Sequence, residues 1–168
     1  MATRVVLRSK FHMLLEEERA MPANWWVFYV PGGDGYWQDP NYVRRIANTK
    51  KPKKNWWWTC HEETVEGDRA LLYAKAPISA IVGIIEAASN AKEKHHEFSS
   101  YPWVCDYFCV TVFDEPIYFR YLLRDEELRK QWGLIRGNFQ PPGGKAPRVT
   151  GSTLKLLASR YPQLEPYI

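Results

Sequence analysis

The chain has 168 residues, 45% of them hydrophobic and 25% charged, the balance of one ordinary folded domain. No apolar run approaches the roughly 20 residues that cross a bilayer, the apolar stretches near the N-terminus are broken by Arg8, Lys10 and His12, and three cysteines make no disulfide framework. A membrane span, a signal peptide and a disulfide scaffold are therefore set aside, and a reducing cytoplasm is the expected setting. The net charge of +4 conceals a segregation: residues 44–54 hold six Lys/Arg and no acid, and residues 128–164 hold seven more, again with no acid. Such a distribution makes a local positive field, for which a phosphate backbone is the common partner.

In chain order, Val5 to Leu7 reads as a short strand, and residues 1–22 as an extension packed on the domain that begins at residue 23. Asn24 to Val30 is dense in aromatic and branched residues and is stopped by Pro31-Gly32-Gly33, which predicts a strand followed by a loop. Asp39-Pro40 opens a helix to about Asn48, with Asp39 as N-cap and Pro40 at the first helical position. Trp56 to Thr59 predicts a second strand, Arg69 to Lys75 a third and Ile78 to Ala87 a fourth, where Gly83 marks a bulge or a close approach. Residues 88–101 read as an exposed loop. Trp103 to Phe113 reads as a fifth strand, with Val104, Phe108, Val110 and Val112 on one face and Asp106 as its polar exception. Pro116 to Leu123 reads as a sixth strand. A helix follows from Arg124-Asp125 through Ile135, its first turn acidic as the macrodipole favours. Gly137 to Arg148, with three Pro and three Gly, is irregular, and Thr150 or Ser152 caps a last helix from Leu154 to about Tyr161. The sum is an α+β fold, a mixed β-barrel of five to six strands with two to three flanking helices.

Fifteen per cent of the chain is aromatic, including eight Trp, and an indole N–H needs a partner once buried, so some of these rings have a task besides packing. The centre of the case is Lys50-Lys51-Pro52-Lys53-Lys54-Asn55-Trp56-Trp57-Trp58-Thr59-Cys60. Basic side chains track phosphates, and each aromatic face that stacks on a base contributes about 1–3 kcal/mol. Alternation on a strand puts Trp56 and Trp58 on one face and Trp57 on the other. At least one of the three has a place in the core.

The order Trp58-Thr59-Cys60-His61, Glu66-Gly67-Asp68-Arg69-Ala70-Leu71-Leu72-Tyr73, Ile81-Val82-Gly83-Ile84-Ile85-Glu86 and, later, Trp132-Gly133-Leu134-Ile135-Arg136-Gly137-Asn138-Phe139-Gln140 resembles the EVE domain family. EVE domains are PUA-like barrels related to YTH domains, and the resemblance runs over about residues 24–160. It implies a reader that flips one base out of its stack into an aromatic cage, with a preference for a modified (methylated) base. By motif position Trp58 is a cage Trp, with Thr59 and Cys60 beside it facing the base edge and the Gly32–Trp37 loop as another wall. A second aromatic wall falls to Tyr101 or Trp103. The family's frequent Lys-Ser-Glu-Pro is replaced here by Tyr29-Val30-Pro31-Gly32, a departure that puts the polar contacts of that wall in question.

The base-pocket candidates are accordingly Trp26, Tyr29, Trp37, Asn55, Trp56, Trp58, Thr59, Cys60, Trp103, Asn138, Phe139 and Gln140. Asp106 joins Asn55, Thr59, Asn138 and Gln140 as a candidate edge reader, each with local capping as the competing role. The phosphate-binding candidates are Arg44, Arg45, Lys50, Lys51, Lys53, Lys54, Arg136, Lys145 and Arg148. A methyl on the base adds at most about 1 kcal/mol by transfer, so discrimination needs polar contacts as well. The expected partner is DNA or RNA carrying a modified base, read alone or beside a separately encoded effector of a restriction or RNA-modification system, with no cofactor and no membrane.

Two readings compete. One is a small-molecule hydrolase using Cys60 or His61, although neighbours on a strand point apart and cannot pair locally. The other is a module in which the aromatics hold a non-nucleic ligand. Cys105 and Cys109 with His95 and His96 do not predict zinc, because positions four apart on a strand span about 13 Å and no Cys-x2-Cys pair exists. No Gly-rich phosphate loop or nuclease carboxylate cluster is present, so a non-catalytic binding module is the expectation.

Overall fold

Six consecutive residues of strand β1 (Trp25–Val30) are apolar or aromatic, and alternation sends them to two different cores. Trp25, Val27 and Tyr29 join one cluster, while Trp26, Phe28 and Val30 join the other. A strand apolar on both faces must be covered on both, and the rest of the fold supplies the two covers. The computed structural model describes residues 24–30, 37–53, 56–95, 102–141, 143 and 145–168. The N-terminal extension with its expected strand, Lys54, Asn55, His96 and Tyr101 lie outside the described residues.

After β1 come α1 (Pro40–Ala47), β2 (Trp57–Thr59), β3 (Arg69–Ala74), β4 (Ala80–Ala87), β5 (Lys92–Glu93) and β6 (Trp103–Tyr118). Helices α2 (Phe119–Arg124), α3 (Glu126–Gln131) and α4 (Gly133–Arg136), strand β7 (Arg148–Val149), helix α5 (Gly151–Arg160) and a 3₁₀ turn (Pro162–Tyr167) complete the described chain. Six strands follow one path in the order β2-β6-β4-β3-β1-β7, and the two-residue β5 pairs with β6 off that path. β1 and β3 run parallel, Trp25 beside Arg69 and Val30 beside Ala74, and the other pairings are antiparallel. The architecture is the expected α+β one, a curled mixed half-barrel with helices against it.

The convex cover is helical. Leu122, Leu128, Trp132, Ile135, Leu154 and Leu157 pack with Trp25, Val27 and Leu71. The concave interior holds Trp26, Phe28, Leu72, Val82, Cys105, Tyr107 and Trp58, closed at one side by Ile46 of α1. Asp39 caps α1 by accepting from the Asn41 N–H, with Pro40 at the helix start, as the sequence predicts.

Several boundaries differ from expectation. The fifth and sixth strands are one 16-residue strand that passes through Pro116 and turns at Tyr118 directly into α2, so Phe119 to Leu123 is helix. Proline is tolerated because Ile81 faces Ile117 while Gly83 faces Val112. Residues 113–116 thus oppose Val82 alone in a bulge where no ladder donor is required. At Gly83 a Cβ would sit 2.4 Å from the Thr111 carbonyl oxygen, so the glycine permits this close approach. The helix expected through Ile135 is split at Trp132, whose extended backbone (φ −110°, ψ 95°) turns the indole into the core. On β6 the buried set is Val104, Cys105, Tyr107, Cys109, Phe113 and Ile117, and Phe108, Val110 and Val112 are half-buried. Both faces carry apolar residues there, and Cys105, Tyr107 and Cys109 on the other face are the more deeply buried ones. Part of the loop expected at 88–101 is β5, and β7 was not anticipated.

Candidate nucleic-acid interface

Trp58 sits on β2 at one end of the sheet path and Tyr29 on β1 near the other, and curling brings them together. The Trp58 indole N–H donates to the Tyr29 carbonyl oxygen at 3.2 Å. Its ring meets Tyr107 edge-on, centroids 5.1 Å apart at 88°. With 7% of its surface exposed, Trp58 is the floor of an aromatic end of the barrel. Half-buried Trp37, Tyr42, Trp56 and Trp103 pack on the same interior cluster. Trp37 and Tyr42 meet edge-on at 6.3 Å. Trp57 takes the opposite side of β2, under the Lys94 ammonium at 4.6 Å, as alternation requires.

Cations stand directly over these rings. Lys53 Nζ lies 4.6 Å from the Trp56 centroid, and the Arg45 guanidinium 5.6 Å from that of Tyr42. The segment carrying them is fixed to the barrel through Thr49, which is fully buried. Its hydroxyl donates to the Arg45 carbonyl oxygen at 2.8 Å, and its own carbonyl accepts from the Cys109 N–H at 2.7 Å. Arg44, Arg45, Lys50, Lys51 and Lys53 are exposed, and among the described residues none forms an ion pair.

The second basic stretch is different. Lys145 pairs with Glu62 at 2.8 Å, Arg160 with Asp125 at 3.1 Å and Glu127 at 2.8 Å, and Lys130 with Glu126. Lys145 holds the Glu62 carboxyl below the usual carboxylate range by hydrogen bond and charge. Three of the seven cations of that stretch are thus paired with acids, whereas none of the described cations of residues 44–53 is.

The remaining pocket candidates scatter. Trp26 lies in the interior cluster, its N–H donating to Asp68 Oδ2 at 2.8 Å and its ring stacked on His61 at 4.8 Å, with no face left for a base. The Tyr29 side chain is on the opposite face from Trp58, edge-on to Tyr73, its hydroxyl buried without a partner among the described residues and its pKa raised, chiefly by burial. Phe139 belongs to the helix-side core, stacked on Tyr73 at 4.4 Å. Asn138 is exposed with φ +53° in the turn after α4, which accounts for its residue type without a ligand. Gln140 and Arg148 line a separate cleft of about 450 Å³ near the start of α5. Asp106 is spent on Lys92 at 2.8 Å. Thr59 is half-buried on β2, opposite Val104.

Cys60, 1% exposed, is hydrogen-bonded to Cys105 and not to His61, whose Nδ1 accepts from the Glu63 N–H at 3.1 Å. That bond and burial push the Cys105 thiol well above its usual value, and burial raises Cys109 too. Cys60, buried and without a bond to His61, is out of reach of a substrate, which disfavours the hydrolase reading.

The sequence reading missed Tyr42 and Tyr107. Tyr42 and Ile46 stand four apart on α1 and so face the barrel together, a spacing that was legible. Tyr107 emerges only once the buried face of β6 is known. Missed as well was Asp68, 1% exposed, which accepts from the Trp26 indole, from the Asn24 backbone and side chain, and from the Val65 N–H.

No family model and no curated protein matches the sequence. Solved structures do share the fold. Protein Rpa0253 from Rhodopseudomonas palustris superposes with a TM-score of 0.61 at 16% identity, covering 84% of this chain and 95% of that one. Protein Atu2648 from Agrobacterium tumefaciens gives 0.55 at 14% identity, covering 82% and 92%. A looser likeness, TM-score 0.44 at 12% identity over 84% and 89%, is to the YTH domain of the Zygosaccharomyces rouxii MRB1 protein in complex with N6-methyladenosine RNA.

Proposed function

We propose that the protein is a non-catalytic nucleic-acid-binding module that takes one unstacked base at the aromatic end of its barrel. The observation that carries this is the placement of cations, without acidic partners among the described residues, directly over half-buried rings: Lys53 over Trp56 and Arg45 over Tyr42. Trp58 forms the floor, the rings of Trp37, Trp56 and Trp103 offer apolar faces, and Arg44, Arg45, Lys50, Lys51 and Lys53 hold the flanking phosphates. A base moved from its stack into such a site exchanges base stacking for aromatic stacking, about 1–3 kcal/mol per ring. The finer part of the reading, that the base is modified and that an effector protein acts beside the module, rests on the resemblance to EVE domains.

The test is titration of labelled single- and double-stranded DNA and RNA, with and without methylated bases, over a range of salt. The expected result is salt-dependent binding, tighter for one methylated substrate. Trp56→Ala should weaken that binding about tenfold while changing thermal stability little, since its ring is half-exposed. Absence of salt-dependent binding to every substrate would overturn the reading and leave a non-nucleic ligand as the occupant of the aromatic end.

A further inference from the structure

Two rings of the aromatic end are covered by a cation from their own stretch of chain. Lys53 Nζ lies 4.6 Å from the Trp56 centroid, and the Arg45 guanidinium 5.6 Å from that of Tyr42. Arg45 and Tyr42 stand one turn apart on α1. Lys53 is held beside Trp56 by the backbone, because the Trp56 N–H donates to the Lys53 carbonyl oxygen at 3.0 Å. Lys53 is exposed, whereas Trp56 is half-buried and packs on the interior cluster. The ammonium therefore covers the ring on its solvent side, the side from which a base arrives.

We propose that Lys53 sets the specificity of the aromatic end for a base carried on a phosphate backbone over a free nucleoside. Its ammonium covers Trp56 in the free protein and moves to a flanking phosphate when a base takes its place. This inference rests on the reading of the aromatic end as a base site.

One ring face holds one occupant. A cation 4.6 Å from the ring centroid stands in the volume a stacked base fills, since stacked atoms sit about 3.5 Å apart. An entering base must displace it. With a free nucleoside the displaced ammonium loses its ring and gains only water. With a base in a chain it meets a phosphate, and a charge-assisted hydrogen bond to phosphate is stronger than an exposed cation–π contact. Among the described residues Lys53 makes no ion pair, so no carboxylate there competes with that phosphate.

The exchange needs only side-chain rotation. Buried Thr49 ties the segment to α1 through the Arg45 carbonyl and to β6 through the Cys109 N–H. The backbone bond between Trp56 and Lys53 then keeps the ammonium within one side-chain length of the ring. Lys94 supplies a control, because its ammonium lies 4.6 Å from the Trp57 centroid on the opposite side of β2, away from the aromatic end.

The experiment uses the full chain at physiological salt, with binding followed by NMR. The probes are adenosine, cytidine, N6-methyladenosine and methylated cytidine as free nucleosides, the same four as bisphosphates, and a short oligonucleotide containing each base. In the free protein the Lys53 protons beside Nζ should be shifted upfield by the Trp56 ring, and a bound bisphosphate or oligonucleotide should return them to ordinary lysine positions. Lys53→Ala should bind the nucleosides about two- to fivefold more tightly and the bisphosphates about threefold or more weakly. Lys53→Arg keeps the charge and stacks on a ring, so it should restore the parent's preference, and Lys94→Ala should change neither affinity. The opposite signs in one variant are the signature of the exchange. A structural role would weaken both kinds of probe, and a general charge effect would weaken the bisphosphates alone. Either of those patterns, or Lys53 signals unmoved by a bound bisphosphate or oligonucleotide, overturns the proposal and leaves the base site standing. If no probe binds, the reading of the aromatic end falls and the proposal falls with it.

Discussion

The Trp58 indole N–H and the Tyr29 carbonyl oxygen, 3.2 Å apart, join β2 to β1, strands between which β6, β4 and β3 intervene in the sheet path. The bond is a clasp across the curled sheet, so the residue at the floor of the candidate base site also closes the barrel. Trp58→Phe keeps a ring and removes the donor. Chemical denaturation should show a loss of about 1 kcal/mol from the missing hydrogen bond, whereas Trp58→Ala should cost about 3–5 kcal/mol through the cavity. Binding assays on Trp58→Ala are therefore to be read only beside its stability.

Among the described residues, Arg44, Arg45, Lys50, Lys51 and Lys53 have no acidic partners, whereas Lys130, Lys145 and Arg160 of the C-terminal stretch do. Replacing Arg44, Lys51 and Lys53 together by Gln should weaken binding to all sequences alike. It should also reduce the slope of log affinity against log salt by about one for each phosphate that is no longer neutralised. Replacing Arg160 by Gln should leave that slope unchanged, because its charge is balanced by Asp125 and Glu127. Equal slopes for the two variants would show that residues 44–53 do not touch phosphate.

Asp68 organises the start of the sheet. Its carboxylate accepts from the Asn24 N–H and side chain, the Trp26 indole and the Val65 N–H. Asp68→Ala strands several buried donors at once and should cost about 3 kcal/mol or more in urea unfolding. The effect on nucleic-acid binding at a temperature where the variant is folded should be small.

Asp125 caps α3 by accepting from the Leu128 N–H at 3.0 Å, and that bond, with Arg160, holds its carboxyl below its usual value. A depressed folded-state value means the stabilisation is complete above the unfolded value and is lost as pH falls through the folded one. Asp125→Ala should cost about 1 kcal/mol at neutral pH. The difference from the parent should shrink on acidification, as followed by thermal melts across the acid range.

Much of the fold is written locally. Asp39-Pro40 marks its helix because an N-cap and a proline act within one turn, and Gly83 announces a close approach because only glycine tolerates a carbonyl 2.4 Å from its Cβ position. Pro116 misled for the same reason: it argues against strand, and only the pairing of Ile81 with Ile117 and Gly83 with Val112 shows the bulge that accommodates it. The apolar face of β6 was ambiguous because the strand is covered on both sides, and alternation cannot then say which face lies deeper.

By itself the sequence determined the α+β class, the alternation of Trp56 and Trp58 against Trp57, and the basic run beside them, since period, turn residues and charge are properties of neighbouring positions. Only the tertiary structure decided that Trp58 closes the barrel through Tyr29, that Trp26 and Phe139 are core, and that Lys145, Lys130 and Arg160 are paired with Glu62, Glu126, Asp125 and Glu127. Each of these is a meeting of residues far apart in the chain or on opposite faces of a curled sheet. Curvature and pairing order set such meetings, and no local pattern encodes them.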